Sequence, residues 1–135
     1  MALRVVGFDH LVLRVADVDR SLAWYTDRLG LGPVRVEEWR RGAAPFPSVR
    51  IDPNTIIDLL AVAPPSEGER VVPPVAGGLD HLCVVVDPCD LDALAASGEF
   101  TVVDGPGPRF GARGTGTSLY VLDPDGIVVE LRHYG

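Results

Sequence analysis

Phe8-Asp9-His10-Leu11-Val12-Leu13-Arg14-Val15 and Leu79-Asp80-His81-Leu82-Cys83-Val84-Val85-Val86 align over eight residues and share an Asp-His-Leu core. Their histidines stand 71 positions apart. A second match lies at almost the same offset: Ile56-Ile57-Asp58-Leu59-Leu60 and Val128-Val129-Glu130-Leu131 are apolar stretches holding one carboxylate each, 72 positions apart. Two independently located matches at one offset mark an internal duplication, so the chain reads as two copies of one module.

Around these anchors each module spells strand, helix, strand, strand, strand. In the first, residues 8–15 form a strand, Asp17 caps a helix whose apolar positions Val18, Leu22, Trp24, Tyr25 and Leu29 roughly follow its period, and Gly30 stops it. Strands are expected at 34–40, 47–52 and 55–62, with Pro53-Asn54 as a turn. The second module repeats this with strands at 79–86, 100–103, 118–122 and 127–133 and a short helix at 91–96. Asp123-Pro124-Asp125-Gly126 is a hairpin turn, and the Gly/Pro-rich stretch 105–116 reads as a loop. The expected organisation is therefore a first module over 1–62, a proline-stiffened linker over 63–78 and a second module over 79–135.

The 135 residues suit one compact unit or two small modules sharing a core. A 47% hydrophobic content with 23% charged residues is too apolar for a disordered chain. The net charge of -7 has the wrong sign for nucleic acid or an anionic membrane surface. No apolar run reaches the ~20 residues of a membrane span and the N-terminal residues lack a cleavable signal's apolar stretch, so a cytoplasmic protein is expected. Cys83 and Cys89 lack CxxC spacing, and two free thiols are expected.

Side chains alternate along a strand, so His10 falls on the face opposite Leu11, Leu13 and Val15. The same count puts His81 with Cys83, Asp58 with Ile56 and Leu60, and Glu130 with Val128 and Arg132. Carboxylates in strands this apolar need partners. Pairing with Arg14, Arg50 or Arg132 is the plain solution. Four groups at repeat-equivalent positions favour a shared one, a divalent cation on His10, Asp58, His81 and Glu130, and two imidazoles with two oxygens suit Fe(II), Mn(II), Ni(II), Co(II) or Zn(II).

These motifs, with Leu119-Tyr120-Val121-Leu122-Asp123-Pro124-Asp125-Gly126 ahead of Val129-Glu130-Leu131, resemble the vicinal oxygen chelate superfamily over nearly the whole chain. That superfamily includes glyoxalase I, methylmalonyl-CoA epimerase, extradiol dioxygenases, fosfomycin-resistance thiol transferases and metal-free bleomycin-binding proteins. The resemblance implies an α+β fold of two βαβββ modules forming a cupped mixed sheet around a metal site. It implies His10, His81 and Glu130 as ligands common to the catalytic branches and Asp58 as a fourth, where Glu or Gln is the familiar residue. Asp is one methylene shorter and binds directly, through water, or not at all.

The branches differ in what this sequence retains. Dioxygenases carry a histidine nineteen positions before the final Glu, where Gly111 stands here, although Tyr120 matches their pattern. The thiol transferases resemble Arg113 to Ser118 but have threonine where Val12 stands. The resemblance therefore favours a metal-dependent lyase or isomerase of the glyoxalase type that chelates a small substrate through vicinal oxygens and stabilises an enediolate-like oxyanion. Glu130 or Asp58 would move the proton, and Arg109, Arg113, Ser118 and Tyr120 are candidate substrate contacts. A non-catalytic binding or resistance protein and a ring-cleaving dioxygenase are the alternatives. The resemblance also implies a homodimer, with the metal site completed within one chain or across two.

Overall fold

A computed structural model describes residues 4–62 and 79–135. The chain divides into two compact units, Met1–Glu69 and Arg70–Gly135. The linker expected at 63–78 lies outside the described residues. Among them no helix is long and apolar enough to cross a membrane.

The first unit runs β1 (His10–Val15), α1 (Val18–Ala23), β2 (Gly32–Val34), α2 (Val36–Arg40), β3 (Ser48–Asp52) and β4 (Thr55–Ala61). Its four strands form one mixed sheet in the order β1-β4-β3-β2, with β1 parallel to β4 and the others antiparallel. Asp17 caps α1 as expected, accepting from the Arg20 N–H at 3.0 Å. The helix passes into a π-helical turn, Trp24–Arg28, before Gly30 at φ 68° ends it. The strand alternation sends Leu13, Val15, Ile57 and Leu59 into the core with Leu22 and Tyr25 of the helical segment. Such a face holds the sheet together because each fully buried aliphatic side chain contributes roughly 1.5–3 kcal/mol.

The second unit repeats the plan: β5 (His81–Val85), α3 (Leu91–Ala96), β6 (Thr101–Gly111), β7 (Gly114–Leu122) and β8 (Val128–His133). Its sheet order is β5-β8-β7-β6, again with the first and last strands of the unit parallel. Leu119, Val121, Val129 and Leu131 fill its core with Leu91. The fold is thus α+β, built from two four-stranded mixed sheets with the same internal strand order.

Two expectations are corrected. The strand expected at 34–40 is only the three-residue β2 followed by helix α2. The alternation Val34-Arg35-Val36 imitates a strand, but Glu37 and Glu38 sit in the helix's first turn, where the helix dipole favours negative charge, and Trp39 N–H closes a helical bond to the Arg35 carbonyl at 2.9 Å. The loop expected at 105–116 is instead a long hairpin of β6 and β7. Its prolines are tolerated because β6 is the sheet's edge and register shifts between Val102 and Gly107 absorb the irregular stretch.

Candidate metal-ligand pairs and their arginines

Parallel pairing of β1 with β4 sets His10 against Ile56 and Val12 against Asp58, so His10 and Asp58 are diagonal neighbours on one sheet face. The same register recurs in the second unit, where His81 faces Val128 and Cys83 faces Glu130. His10 Nε2 lies 4.0 Å from Asp58 Oδ2 and His81 Nε2 lies 3.9 Å from Glu130 Oε1. The shorter Asp side chain therefore spans the same gap to its histidine as the Glu does.

Each imidazole is oriented by the residue before it. His10 Nδ1 donates to Asp9 Oδ2 at 2.7 Å and His81 Nδ1 donates to Asp80 Oδ2 at 2.6 Å. An ionised carboxylate only accepts, so this bond keeps the proton on Nδ1 and leaves the Nε2 lone pair facing Asp58 or Glu130. The Asp9 hydrogen bond, with Asp58 adding, outweighs desolvation and Arg35 and raises the His10 pKa, so a proton and a cation compete for Nε2.

The carboxylates are buried and each accepts from an arginine. Asp58, 6% exposed, accepts at Oδ1 from Ser48 Oγ (2.5 Å) and Arg35 Nη2 (3.3 Å). Glu130, 4% exposed, accepts at Oε2 from Arg132 Nε (3.2 Å). Arg132 is itself fixed, donating to the Phe110 carbonyl (3.0 Å) and Tyr134 Oη (3.4 Å). Burial works to raise the Glu130 pKa, but Cys83, Tyr120 and Arg132 together leave it below the usual carboxylate range.

This arrangement fits a divalent cation. Gaps of about 4 Å are too long for hydrogen bonds, yet lie within the ~4.2 Å that two ligands at about 2.1 Å each can span. In each pair the imidazole Nε2 faces a carboxylate oxygen across that gap. No three His, Cys, Asp or Glu side chains converge among the described residues, so neither unit alone offers more than a pair.

The other candidates fall differently. Tyr120 pairs in register with Glu130 as Ser48 does with Asp58, and stands edge-on to His81 at 5.7 Å. Arg109 is tied to Asp104 (3.0 Å) and lies over the Tyr120 ring, while Arg113 lies over Tyr134. Ser118 is wholly buried on β7, so its hydroxyl offers a ligand no contact. The second unit's groove, about 310 Å³, is lined by His81, Cys83, Phe110, Glu130, Arg132 and Tyr134 among others. The first unit's, about 380 Å³, includes His10, Arg35, Phe46 and Asp58. Cys83 and Cys89 are free thiols.

Sequence reasoning missed Arg35 and Ser48 and gave Arg132 only as a plain ion-pair partner. The repeated Asp-His dipeptide was a readable signal for the Nδ1 partners. Arg35 carries none, because the alternation Val34-Arg35-Val36 imitates a strand.

The family model for the Glyoxalase/Bleomycin resistance protein/Dioxygenase superfamily matches residues 7–131. The chain is 35% identical over 134 residues to the glyoxalase domain-containing protein RDO1 of Mycosarcoma maydis, covering 98% of this chain and 70% of that protein. It is 28% identical over 127 residues to a probable lactoylglutathione lyase of Synechocystis, covering 90% and 91%. Among solved structures, integron cassette protein VCH_CASS1 of V. cholerae matches with a TM-score of 0.74 at 28% identity, covering 100% of both chains. With the family match spanning both sheets, the chain belongs to the Glyoxalase/Bleomycin resistance protein/Dioxygenase superfamily.

Proposed function

We propose that the protein is a metal-dependent lyase or isomerase of the glyoxalase type, with one divalent cation on His10, Asp58, His81 and Glu130. The carrying observation is the repeated pair: an imidazole with Nδ1 tied to the preceding Asp and Nε2 about 4 Å from a buried carboxylate, found twice at one register. Resemblance to a protein named a probable lactoylglutathione lyase adds support. Each unit supplies one imidazole and one carboxylate to this ligand set, and a homodimer is part of the proposal.

When bound, the cation supplies Lewis-acid polarisation of adjacent substrate oxygens. The chain's residues do the rest. Asp9 and Asp80 keep the histidine tautomer, Arg35 and Ser48 fix one oxygen of Asp58, and Arg132 fixes one of Glu130. Glu130, ionised at neutral pH, is the base that accepts the substrate proton and returns it. Against the ring-cleaving alternative stands Gly111, where any side chain would meet Arg132 and Tyr134.

Titration with Co(II), Ni(II) or Zn(II), followed by assay with the hemithioacetal of methylglyoxal and glutathione, tests this reading. One ion per chain is expected, lost in His10→Ala and in His81→Ala. A protein that takes up no metal, and whose His10→Ala variant binds ligands normally, is a binding module instead.

A further inference from the structure

The groove of the second unit combines the metal-ligand candidates His81 and Glu130 with the apolar surfaces of Val85, Phe110, Ala112 and Tyr134. Among the described residues that line it, the one permanent cation is Arg132. That guanidinium is 2% exposed and donates from all three nitrogens, to Glu130, to Tyr134 and to the Phe110 carbonyl. It is a buried strut, and it offers a ligand little charge.

The apolar lining is the opposite case. Phe110 is 88% exposed and Val85 53%. Single exposed apolar residues are ordinary on a protein surface, but these two share one concavity with a candidate metal pair. The backbone that carries the Phe110 ring is nonetheless pinned. Its carbonyl accepts from Arg132 Nη2 at 3.0 Å, and three residues on the Arg113 N–H donates to Tyr134 Oη at 3.3 Å. An exposed aromatic ring on a fixed backbone is a preformed contact surface, which loses little chain entropy when a ligand covers it.

We infer that this groove takes the apolar body of a substrate whose vicinal oxygens meet the cation, with Phe110 as the residue that sets specificity for that body. A cavity of ~150 Å³ already admits benzene, so a groove of about 310 Å³ has room for a ring beside the chelating oxygens. A charged body is disfavoured, because the lining presents the Glu130 carboxylate and no exposed guanidinium. This rests on the metal reading above and adds the substrate class: a small molecule with a chelating oxygen pair on an uncharged aromatic group.

Hydroxamates test it, since each binds a metal through two adjacent oxygens and the rest of the molecule can be varied. The Co(II)-saturated protein is titrated calorimetrically with acetohydroxamate, benzohydroxamate and 4-carboxybenzohydroxamate, each affinity divided by that for free Co(II). Benzohydroxamate is expected to bind roughly ten-fold or more tighter than acetohydroxamate, because the phenyl face leaves water. The added carboxylate should remove most of that gain. Phe110→Ser keeps the backbone carbonyl that Arg132 uses and should bring the preference below about three-fold with Co(II) uptake unchanged. If that variant does not fold or hold Co(II), Phe110→Leu decides, with an expected loss of about two-fold or more because the flat ring face is gone. A wild type without the phenyl preference, or a preference that survives substitution or is matched by the carboxylated compound, overturns the inference while the metal reading stands. So does a Phe110→Ser variant that changes the sedimentation coefficient and not the preference, which would place the ring in an interface between copies. No Co(II) uptake by the wild type overturns both.

Discussion

Gly111 lies so close to Arg132 that a Cβ at this position would fall on the guanidinium, and within 2.6 Å of Tyr134 Oη. Arg132 is 2% exposed and bonded on three sides, so it has no inexpensive way to move aside. Gly111→Ala is expected to displace it from Glu130. Overpacking of this kind costs about 1–3 kcal/mol. Urea denaturation reads the stability change and Co(II) titration reads the looser carboxylate. Wild-type values in both would mean that the guanidinium does not hold Glu130 in place.

A pH prediction follows from the same carboxylate. The Glu130 pKa is depressed because Cys83, Tyr120 and Arg132 together outweigh the opposing effect of burial. Its unfolded value is about 4.3. The folded state therefore binds its proton less readily than the unfolded chain, and the stabilisation is present above that value and lost as pH falls through the folded pKa. Melting temperatures between pH 7 and 2.5 should show a steeper acid limb for the wild type than for Glu130→Gln. Parallel limbs would remove Glu130 from the account of acid sensitivity.

How far the sequence disclosed this site depends on which interactions are local. The strand faces of His10, Asp58, His81 and Glu130 are legible because alternation and the repeat offset fix them without tertiary knowledge, and the register agrees with those faces. The α+β class and the strand, helix, strand frame were legible for the same reason. Arg35 was not, because its place depends on a left-handed residue between β2 and α2 that no turn-forming residue announces. The β6–β7 hairpin was hidden because glycine and proline mark loops locally, whereas an edge strand with register shifts accommodates both. Ser118 opens the strand expected at 118–122, and strand position alone does not tell that its side chain is wholly buried.

Cys83 yields a chemical test of the second unit's groove. Partial desolvation first, and the adjacent Glu130 carboxylate second, push its thiol up to about 12. The nucleophile in alkylation is the thiolate, so little of Cys83 reacts at neutral pH although the residue is exposed. Mass spectrometry after iodoacetamide at pH 8 should find Cys89, exposed between β5 and α3, modified well before Cys83. Glu130→Gln removes one of the two causes and should speed Cys83 alkylation. Equal rates for both cysteines in the wild type would contradict the environment described for the sulfur.

Two of the buried serines, Ser48 and Ser118, should respond differently to the same substitution. Ser48 and Ser118 are both wholly buried, each on a strand antiparallel to the one that bears its unit's carboxylate. Ser48 Oγ donates to Asp58 Oδ1, so Ser48→Ala strips a donor from a buried carboxylate, a loss of about 1–3 kcal/mol. Ser118 Oγ has no hydrogen-bond partner among the described residues, and a buried hydroxyl left unpaired is itself destabilising. Ser118→Ala removes that hydroxyl at almost no change in volume and is expected to be neutral or stabilising by up to about 1 kcal/mol. Chemical denaturation of the two variants side by side measures the contrast. Destabilisation by Ser118→Ala as large as that of Ser48→Ala would show that the Ser118 hydroxyl is hydrogen-bonded in solution, with an ordered water as the partner to look for in a crystal structure.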